Sequence, residues 1–355
     1  MRFFFQAARE TMQQKITIAL SSTMDRLGMF GILRRAMATR SGLILALHRV
    51  LPLQERHLCY DSRLVLSEPA FVSLLRLLQL EYEVVHLQEL LADPRGSKGR
   101  PKVALTFDDG WEDNYRVAFP HLVAHNTPAT IFACAGFLDT DAALPEERFA
   151  RLWEKCGAQA QLQELTRDLN HWGIGPPKQR EQLGNRRYWS NELRRMPIAA
   201  ALLLLEHFER RYEVSAVSSG RFLRWEDLRV MMRTGLVRAG SHTCRHSSLP
   251  VENARDARGE LEESRSVIYE NTGVLPDILS YPNGMFNRQV IDIARAAGYQ
   301  AALANHLGLA SSRSHLFSMP RVLINDGNVT NADVQLSASR TSAHFARSWL
   351  HSEVY

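Results

Sequence analysis

The sequence predicts an α/β protein built on a parallel sheet. Short apolar runs ending in polar residues or glycine recur along the chain, at residues 43–47, 103–105, 129–133, 278–281 and 301–304. Runs of that length are the pattern of buried strands. Amphipathic helical stretches alternate with them, which is the rhythm of βα units. With 355 residues, 45% hydrophobic and 23% charged, the chain is long and apolar enough for a full core.

Taken in order, residues 1–41 predict a basic, amphipathic helical extension, broken near Gly28 and Gly31 and ended by Ser41-Gly42. Residues 43–47 are the first strand, with His48 at its carboxyl end. Ser67 reads as the N-cap of a helix reaching residue 80, with Phe71, Leu74, Leu75, Leu77 and Leu78 on one face. Residues 83–87 predict a strand, and residues 93–100 a polar loop before the strand at 103–105. A helix is expected over 111–125, then a strand over 129–133. Residues 139–223 interrupt the rhythm with helix-rich sequence and carry no catalytic signature. Arg186, Arg187, Tyr188 and Trp189 in that insertion could touch a sugar or phosphate, but aromatics at helical spacing more commonly form core. The rhythm resumes with a helix from Trp225, strands near 235–239, 278–281, 301–304 and 319–324, and a polar tail over 331–355.

Two stretches carry chemistry. In Lys102-Val-Ala-Leu-Thr-Phe-Asp-Asp-Gly110, two carboxylates stand where a buried strand gives way to a loop. Successive strand side chains point oppositely, so Asp108 and Asp109 can do different work. Alone, the stretch is equally consistent with an Asp-Asp-Gly turn. In Gly240-Ser-His-Thr-Cys-Arg-His246, His242 and His246 stand one helical turn apart and can face one point. With a carboxylate from elsewhere they would make an open metal site; alone, two capping histidines explain them as well. Cys244 lies between them and is expected to point away.

Together, Thr-Phe-Asp-Asp-Gly followed by Ser-His-Thr-x-x-His resembles the polysaccharide deacetylase family, also called the NodB homology domain or carbohydrate esterase family 4. The resemblance implies a distorted TIM-like barrel over residues 42–330, interrupted by the helical insertion at 139–223. It implies Asp108 as general base, and Asp109, His242 and His246 as ligands of a divalent metal, usually zinc. Leu45-Ala-Leu-His48 looks like the Leu-x-His motif of a permuted branch, in which the motif stands at the N-terminus, and makes His48 the expected general acid. His306 is the rival for that role. Tyr281-Pro-Asn-Gly284 matches the third motif without its usual Arg, and marks Tyr281, Pro282 and Asn283 as candidate substrate contacts. Arg321, on a late strand, is the candidate to orient Asp108 in place of the missing Arg.

Composition narrows the setting. Four cysteines, Cys59, Cys134, Cys156 and Cys244, lack paired spacing, so a disulfide scaffold is not expected. No run of ~20 apolar residues occurs, and the N-terminus lacks a secretory signal, which together point to the cytoplasm. Residues 1–50 carry eight basic side chains against two acidic ones, interleaved with Phe3, Phe4, Phe5, Ile16 and Ile18. That mixture suits peripheral contact with an anionic membrane face better than nucleic acid, which is not expected as a partner. The expected substrate is an N-acetylated sugar, glycan or lipid-linked glycan. Rival readings are a catalytically weakened sugar-binding relative, a deacetylase of chitin- or peptidoglycan-type polymer, and a non-haem iron oxygenase; the βα rhythm argues against the last.

Overall fold

The computed structural model describes residues 28–157, 159–171, 185–215, 217, 220–331 and 333–351. Most of the basic N-terminal extension, residues 1–27, lies outside them.

Eleven strands are present among the described residues. They are β1 Ser41–Leu47, β2 Arg49–Leu51, β3 Val65–Ser67, β4 Glu83–Val84, β5 Lys102–Asp109, β6 Ala129–Ala133, β7 Val237–Ser241, β8 Ile278–Ser280, β9 Ala301–Leu303, β10 Ala310–Ser311 and β11 Val322–Leu323. Nine of them form one curled sheet whose main path runs β10-β1-β5-β6-β7-β8-β9, with β4 on β5 and β11 on β1. Every pairing in it is parallel except β1 with β10. One segment joins the two ends of the curl: Met319 bridges Leu303 of β9, and β11, three residues later, pairs with β1. The result is the mostly parallel sheet that the alternating pattern predicts, curled into the distorted barrel that the resemblance implies.

Register puts the site together. Leu47 pairs with Phe107, Asp109 with Ala133, Ala133 with Ser241, Ser241 with Leu279, and Ser280 with Leu303. Because these strands are parallel, their carboxyl ends share one rim. Whatever follows Leu47, Asp109, Ser241 and Ser280 is therefore delivered to one mouth, where such folds carry their chemistry. The strands are buried along nearly their whole length, since helices cover the outer face; β1, β5 and β6 contain no exposed residue.

The insertion forms its own helical lobe. Its helices are Pro145–Lys155, Gln159–His171, Arg186–Leu193 and Ile198–Tyr212. They share a core of Phe149, Leu152, Trp189, Leu204 and Phe208. Trp189 is fully buried there, Tyr188 packs against that core, and Arg186 donates to the Tyr60 carbonyl at 2.9 Å. This run is built into the lobe and does not line the cavity described below.

Three local expectations change. The strand at 83–87 stops at Val84, and Leu87 opens the helix Leu87–Ala92. The helix expected from Trp111 is delayed, because Trp111 bridges Phe222 and its ring stacks on that residue; helical backbone begins only at Asn114. The polar tail contains the helix Ala338–His351, which buries Phe345 edge-on against Tyr82. This helix also packs against the helix Met29–Ala38, so chain ends separated by the whole domain meet over the same core. Among the described residues, no helix is long and apolar enough to cross a membrane.

Phe345 belongs to the main core cluster. Phe345→Ala should destabilise the fold by about 3–5 kcal/mol, read as a lower midpoint of urea unfolding. A solvated tail would give no shift.

Candidate active site

A cavity of about 240 Å³ opens at the carboxyl rim of the sheet. It is lined by His48, Asp108, Asp109, His242, His246, Asn283 and Arg321, all marked in the sequence, together with Tyr60, Arg63 and Arg194. A larger cleft of about 1060 Å³ surrounds Ser41 and Ser311, at the opposite end of β1. It holds none of these residues, so size does not mark the chemistry here.

Asp108 is 1% exposed and meets Arg321, whose side chain is wholly buried. Arg321 Nη1 donates to Asp108 Oδ1 at 2.8 Å and Nη2 to Oδ2 at 2.7 Å, a two-pronged pairing. Nη2 also approaches the Ser280 hydroxyl (3.0 Å) and Asn305 Oδ1 (2.7 Å), Nη1 donates to the Thr106 hydroxyl (3.3 Å), and Nε donates to the Ala304 carbonyl (3.2 Å). Ser280 itself donates to Asp108 Oδ2 at 3.3 Å. Burial alone would raise the Asp108 pKa; the Arg321 guanidinium, with the nearby imidazoles of His242 and His48, holds it well below the ordinary carboxylate range.

Asp109 and Asp108 face the same cavity, although strand alternation predicts opposite faces. Asp109 leaves the extended region with φ 74°, so the alternation does not carry through it. Trp111 Nε1 donates to Asp109 Oδ2 at 2.9 Å. The Trp111 ring is in turn held beneath the Arg49 guanidinium, 4.4 Å from its centroid, and Arg49 pairs with Asp113 at 2.9 Å. The other oxygen, Asp109 Oδ1, is buried and accepts no hydrogen bond. It lies 3.4 Å from His242 Nε2 and 3.7 Å from His246 Nε2. His242 Nδ1 is 2.8 Å from the Ser280 carbonyl, which can only accept, so the ring proton sits there and Nε2 offers a lone pair. A buried carboxylate oxygen without a donor, facing a His242 Nε2 that presents a lone pair and with His246 Nε2 beside it, fits a cation.

The two imidazoles do not converge by helical spacing. They lie in an irregular loop after β7, with Thr243 at φ 63° and His246 at φ 60°. Left-handed backbone at a β-branched residue is strained and must be imposed by its surroundings. The surroundings supply this: Ala135 N and Gly136 N donate to the carbonyls of Thr243 and Cys244, and Glu260 accepts from Cys244 N and Arg245 N at 3.0 and 2.9 Å. A Cβ at Gly136 would stand 2.9 Å from the Cys244 carbonyl, so the crossing of these two loops needs glycine. The Cys244 amide and sulfur are thus turned to Glu260 and Gly136, away from the cavity.

A different cysteine is near the ligands. Cys134 Sγ, an Asp109 carboxylate oxygen and a His242 ring nitrogen lie within 4.8 Å of one another. Burial, reinforced by the Asp109 and Asp108 carboxylates, pushes the Cys134 thiol well above its ordinary range, and it donates to the His242 carbonyl at 3.4 Å. A neutral thiol engaged with a carbonyl is a poor donor to a metal.

His48 is half-buried in the cavity wall. Burial lowers its pKa, partly offset by Asp109 and Asp108. His306 is exposed and does not line this cavity, so of the two candidate proton donors the structure brings only His48 to the carboxylates. Among the third-motif candidates, Asn283 reaches the cavity, on left-handed backbone at φ 59°. Tyr281 does not: it is wholly buried, stacks on Phe286, and its hydroxyl donates to the Phe317 carbonyl at 3.1 Å. Pro282 is buried and also absent from the wall. Sequence reasoning passed over Trp111, Glu146 and Arg194. Glu146 Oε2 lies 3.2 Å from His246 Nδ1. It was missed because a carboxylate in the first turn of a helix is ordinary on dipole grounds alone.

The model of the family described as polysaccharide deacetylase matches residues 95–183 and 188–302. The chain belongs to the polysaccharide deacetylase family, and is a hydrolase acting on non-peptide carbon–nitrogen bonds. The match includes Asp108, Asp109, His242 and His246, and leaves His48 and Arg321 outside it. The Streptococcus pyogenes deacetylase PplD in complex with acetate has 16% identity and a TM-score of 0.54, covering 87% of this chain and 97% of that one. IcaB from Ammonifex degensii has 18% identity and a TM-score of 0.54, with the same coverage. A de-N-acetylase from Aggregatibacter actinomycetemcomitans has 18% identity and a TM-score of 0.51, covering 85% and 98%. At these identities the likeness establishes the fold. No curated protein matches the chain significantly.

Removing Arg321 strands a buried charge. Arg321→Met should destabilise the protein by about 3–5 kcal/mol at neutral pH. Asp108 is depressed in the folded state, so the stabilisation it draws from Arg321 is present above the unfolded carboxyl pKa of ~3.9 and is lost as pH falls through its lower folded value. The gap between wild type and variant, followed by urea unfolding at pH 7 and pH 3, should therefore narrow in acid. A gap that is absent, or that widens, contradicts the pairing.

Proposed function

We propose that the protein is a metal-dependent deacetylase that removes N-acetyl groups from an amino-sugar-containing glycan or glycolipid precursor of bacterial surface polysaccharide. The observation that carries the metal-dependent part is the donorless Asp109 Oδ1, facing His242 Nε2 and His246 Nε2, next to a carboxylate kept ionised by Arg321. A divalent ion held by Asp109, His242 and His246, zinc being the natural choice for this donor set, would lower the pKa of a water toward ~7 and polarise the acyl carbonyl.

The chain's own groups supply the rest. Asp108 accepts a proton from the attacking water as the water oxygen bonds to the acyl carbon. Arg321 keeps that carboxylate ionised and fixed in orientation, though it makes it a weaker base. His48 delivers a proton to the departing nitrogen as the carbon–nitrogen bond breaks. Acetate and a free amino sugar leave. Burial of His48 lowers its pKa and makes it the stronger acid. The permuted placement of the Leu-x-His motif belongs to this reading, since His48 precedes the metal ligands in the chain.

The substrate reading has three supports. The family is described by polysaccharide deacetylation. A structural relative was solved with acetate, the product of such a reaction. The basic, aromatic N-terminal sequence suits a peripheral position at the inner membrane face, where lipid-linked precursors are handled.

Acetate release from N-acetylhexosamine compounds, offered free, polymeric and lipid-linked, tests the assignment. Asp108→Asn should keep bound zinc and lower kcat by about 10²–10⁴-fold. Asp109→Ala and His246→Ala should lose zinc, measured by elemental analysis, while Cys134→Ser keeps it. The reading is lost if zinc-loaded protein releases no acetate from any of these and Asp109→Ala holds as much metal as wild type.

The pH profile tests His48 separately. The proton donor must be protonated, so kcat/KM should fall as pH rises through the His48 pKa. That limb should stand at lower pH than a free imidazole would give, and His48→Ala should remove it. A limb unchanged in the variant assigns the proton to another group.

A further inference from the structure

We infer that Glu146, on the first turn of the insertion lobe, is a positioning residue for the metal site: its carboxylate fixes the ring orientation and tautomer of His246, so the lobe sets the protein's affinity for the ion. This rests on the metal-site reading above and extends it to a residue outside the motifs.

The geometry is specific. Glu146 is 5% exposed, and its two oxygens are divided between different tasks. Oε1 accepts from Arg194 Nε in the lobe at 3.2 Å and from Asn283 Nδ2 on the barrel rim at 3.2 Å. Oε2 stands 3.2 Å from His246 Nδ1. Neither Oε2 nor Nδ1 has another hydrogen-bond partner. The contact is close but off-line as it stands.

The two imidazoles are thereby oriented alike by different means. His242 is held by the backbone carbonyl of Ser280 behind Nδ1. His246 has Glu146 behind Nδ1. In both cases Nε2 is left facing Asp109 Oδ1. A carboxylate behind a ligating imidazole raises its basicity and removes the alternative tautomer, and losing such a partner weakens metal binding by about 10–100-fold.

The placement also explains why a helical insertion can sit between the two motif halves without disrupting the site. The helix Pro145–Lys155 follows β6, and its first turn stands against His246 of the barrel and Arg194 of the lobe. Pro145 fixes its start, and the adjacent Glu147 pairs with Arg151 at 2.7 Å. Two neighbouring carboxylates thus have separate roles, one for the lobe and one for the site.

The test uses the full chain, stripped of metal, with zinc alone as the probe and a chromophoric chelator as competitor. Glu146→Gln keeps the shape and removes the charge; Glu146→Ala removes the contact. Both should bind zinc at least about 10-fold more weakly, with apo-protein circular dichroism and melting temperature close to wild type for Glu146→Gln. Glu147→Gln, equally buried in the same turn, should leave zinc affinity unchanged. Should Glu146→Ala fail to fold, the Gln variant decides. Zinc affinity within twofold of wild type in folded Glu146→Gln overturns the inference while Asp109→Ala still loses the metal. If Asp109→Ala also binds zinc like wild type, the metal site itself is wrong and this inference goes with it.

Discussion

Burial of the Asp108 carboxylate is the constraint around which the site is built. A carboxylate removed from water is costly unless it is paired and its lone pairs are filled. Arg321 meets both oxygens; its Nη2 also reaches Ser280 and Asn305, and its Nε donates to the Ala304 carbonyl. This pair ties β5 to the segment that joins the two ends of the sheet. Closure of the curl and ionisation of Asp108 are therefore one arrangement: the segment bridging β9 and β1 is also what carries the guanidinium inward.

Beside that pair the second carboxylate is treated differently. Asp109 has one oxygen on Trp111 and the other without a donor, facing two imidazoles. Two adjacent residues thus occupy opposite electrostatic settings, one saturated by a fixed cation and one left open. The backbone is bent to reach this. Asp109, Thr243, His246 and Asn283 all have positive φ, and all lie at the cavity or in the histidine loop. Strain of this kind persists only where neighbouring contacts enforce it, and here Glu260 and the loop after β6 do so.

The insertion lobe changes how the motifs are understood. The two motif halves are separated by a helical unit with its own core and no catalytic signature in its sequence. Yet Glu146 and Arg194 reach from it to His246 and the cavity wall. Nothing in the sequence separates Glu146 from Glu147, since both are first-turn carboxylates after a proline. Only their partners distinguish them. Likewise Tyr281 stands in a motif but faces the core, because β8 turns its side chain toward Phe286 and Phe317.

What the sequence determined by itself was local: buried strands followed by polar residues at a common end, the helical rhythm between them, and the residue types able to hold a proton or an ion. Apolar runs and side-chain chemistry are properties of neighbouring residues, so they are legible in order. The His242–His246 pair marks the limit of that logic: a spacing of four suggested a helix, while a strained loop makes the convergence. Arg321 could be named from the sequence as a candidate partner of Asp108, but its two-pronged pairing, Glu146 behind His246, Trp111 beside Asp109 and the burial of Phe345 were decided by the tertiary structure. Each depends on which distant surfaces meet when the sheet curls, and no local pattern in the chain encodes that.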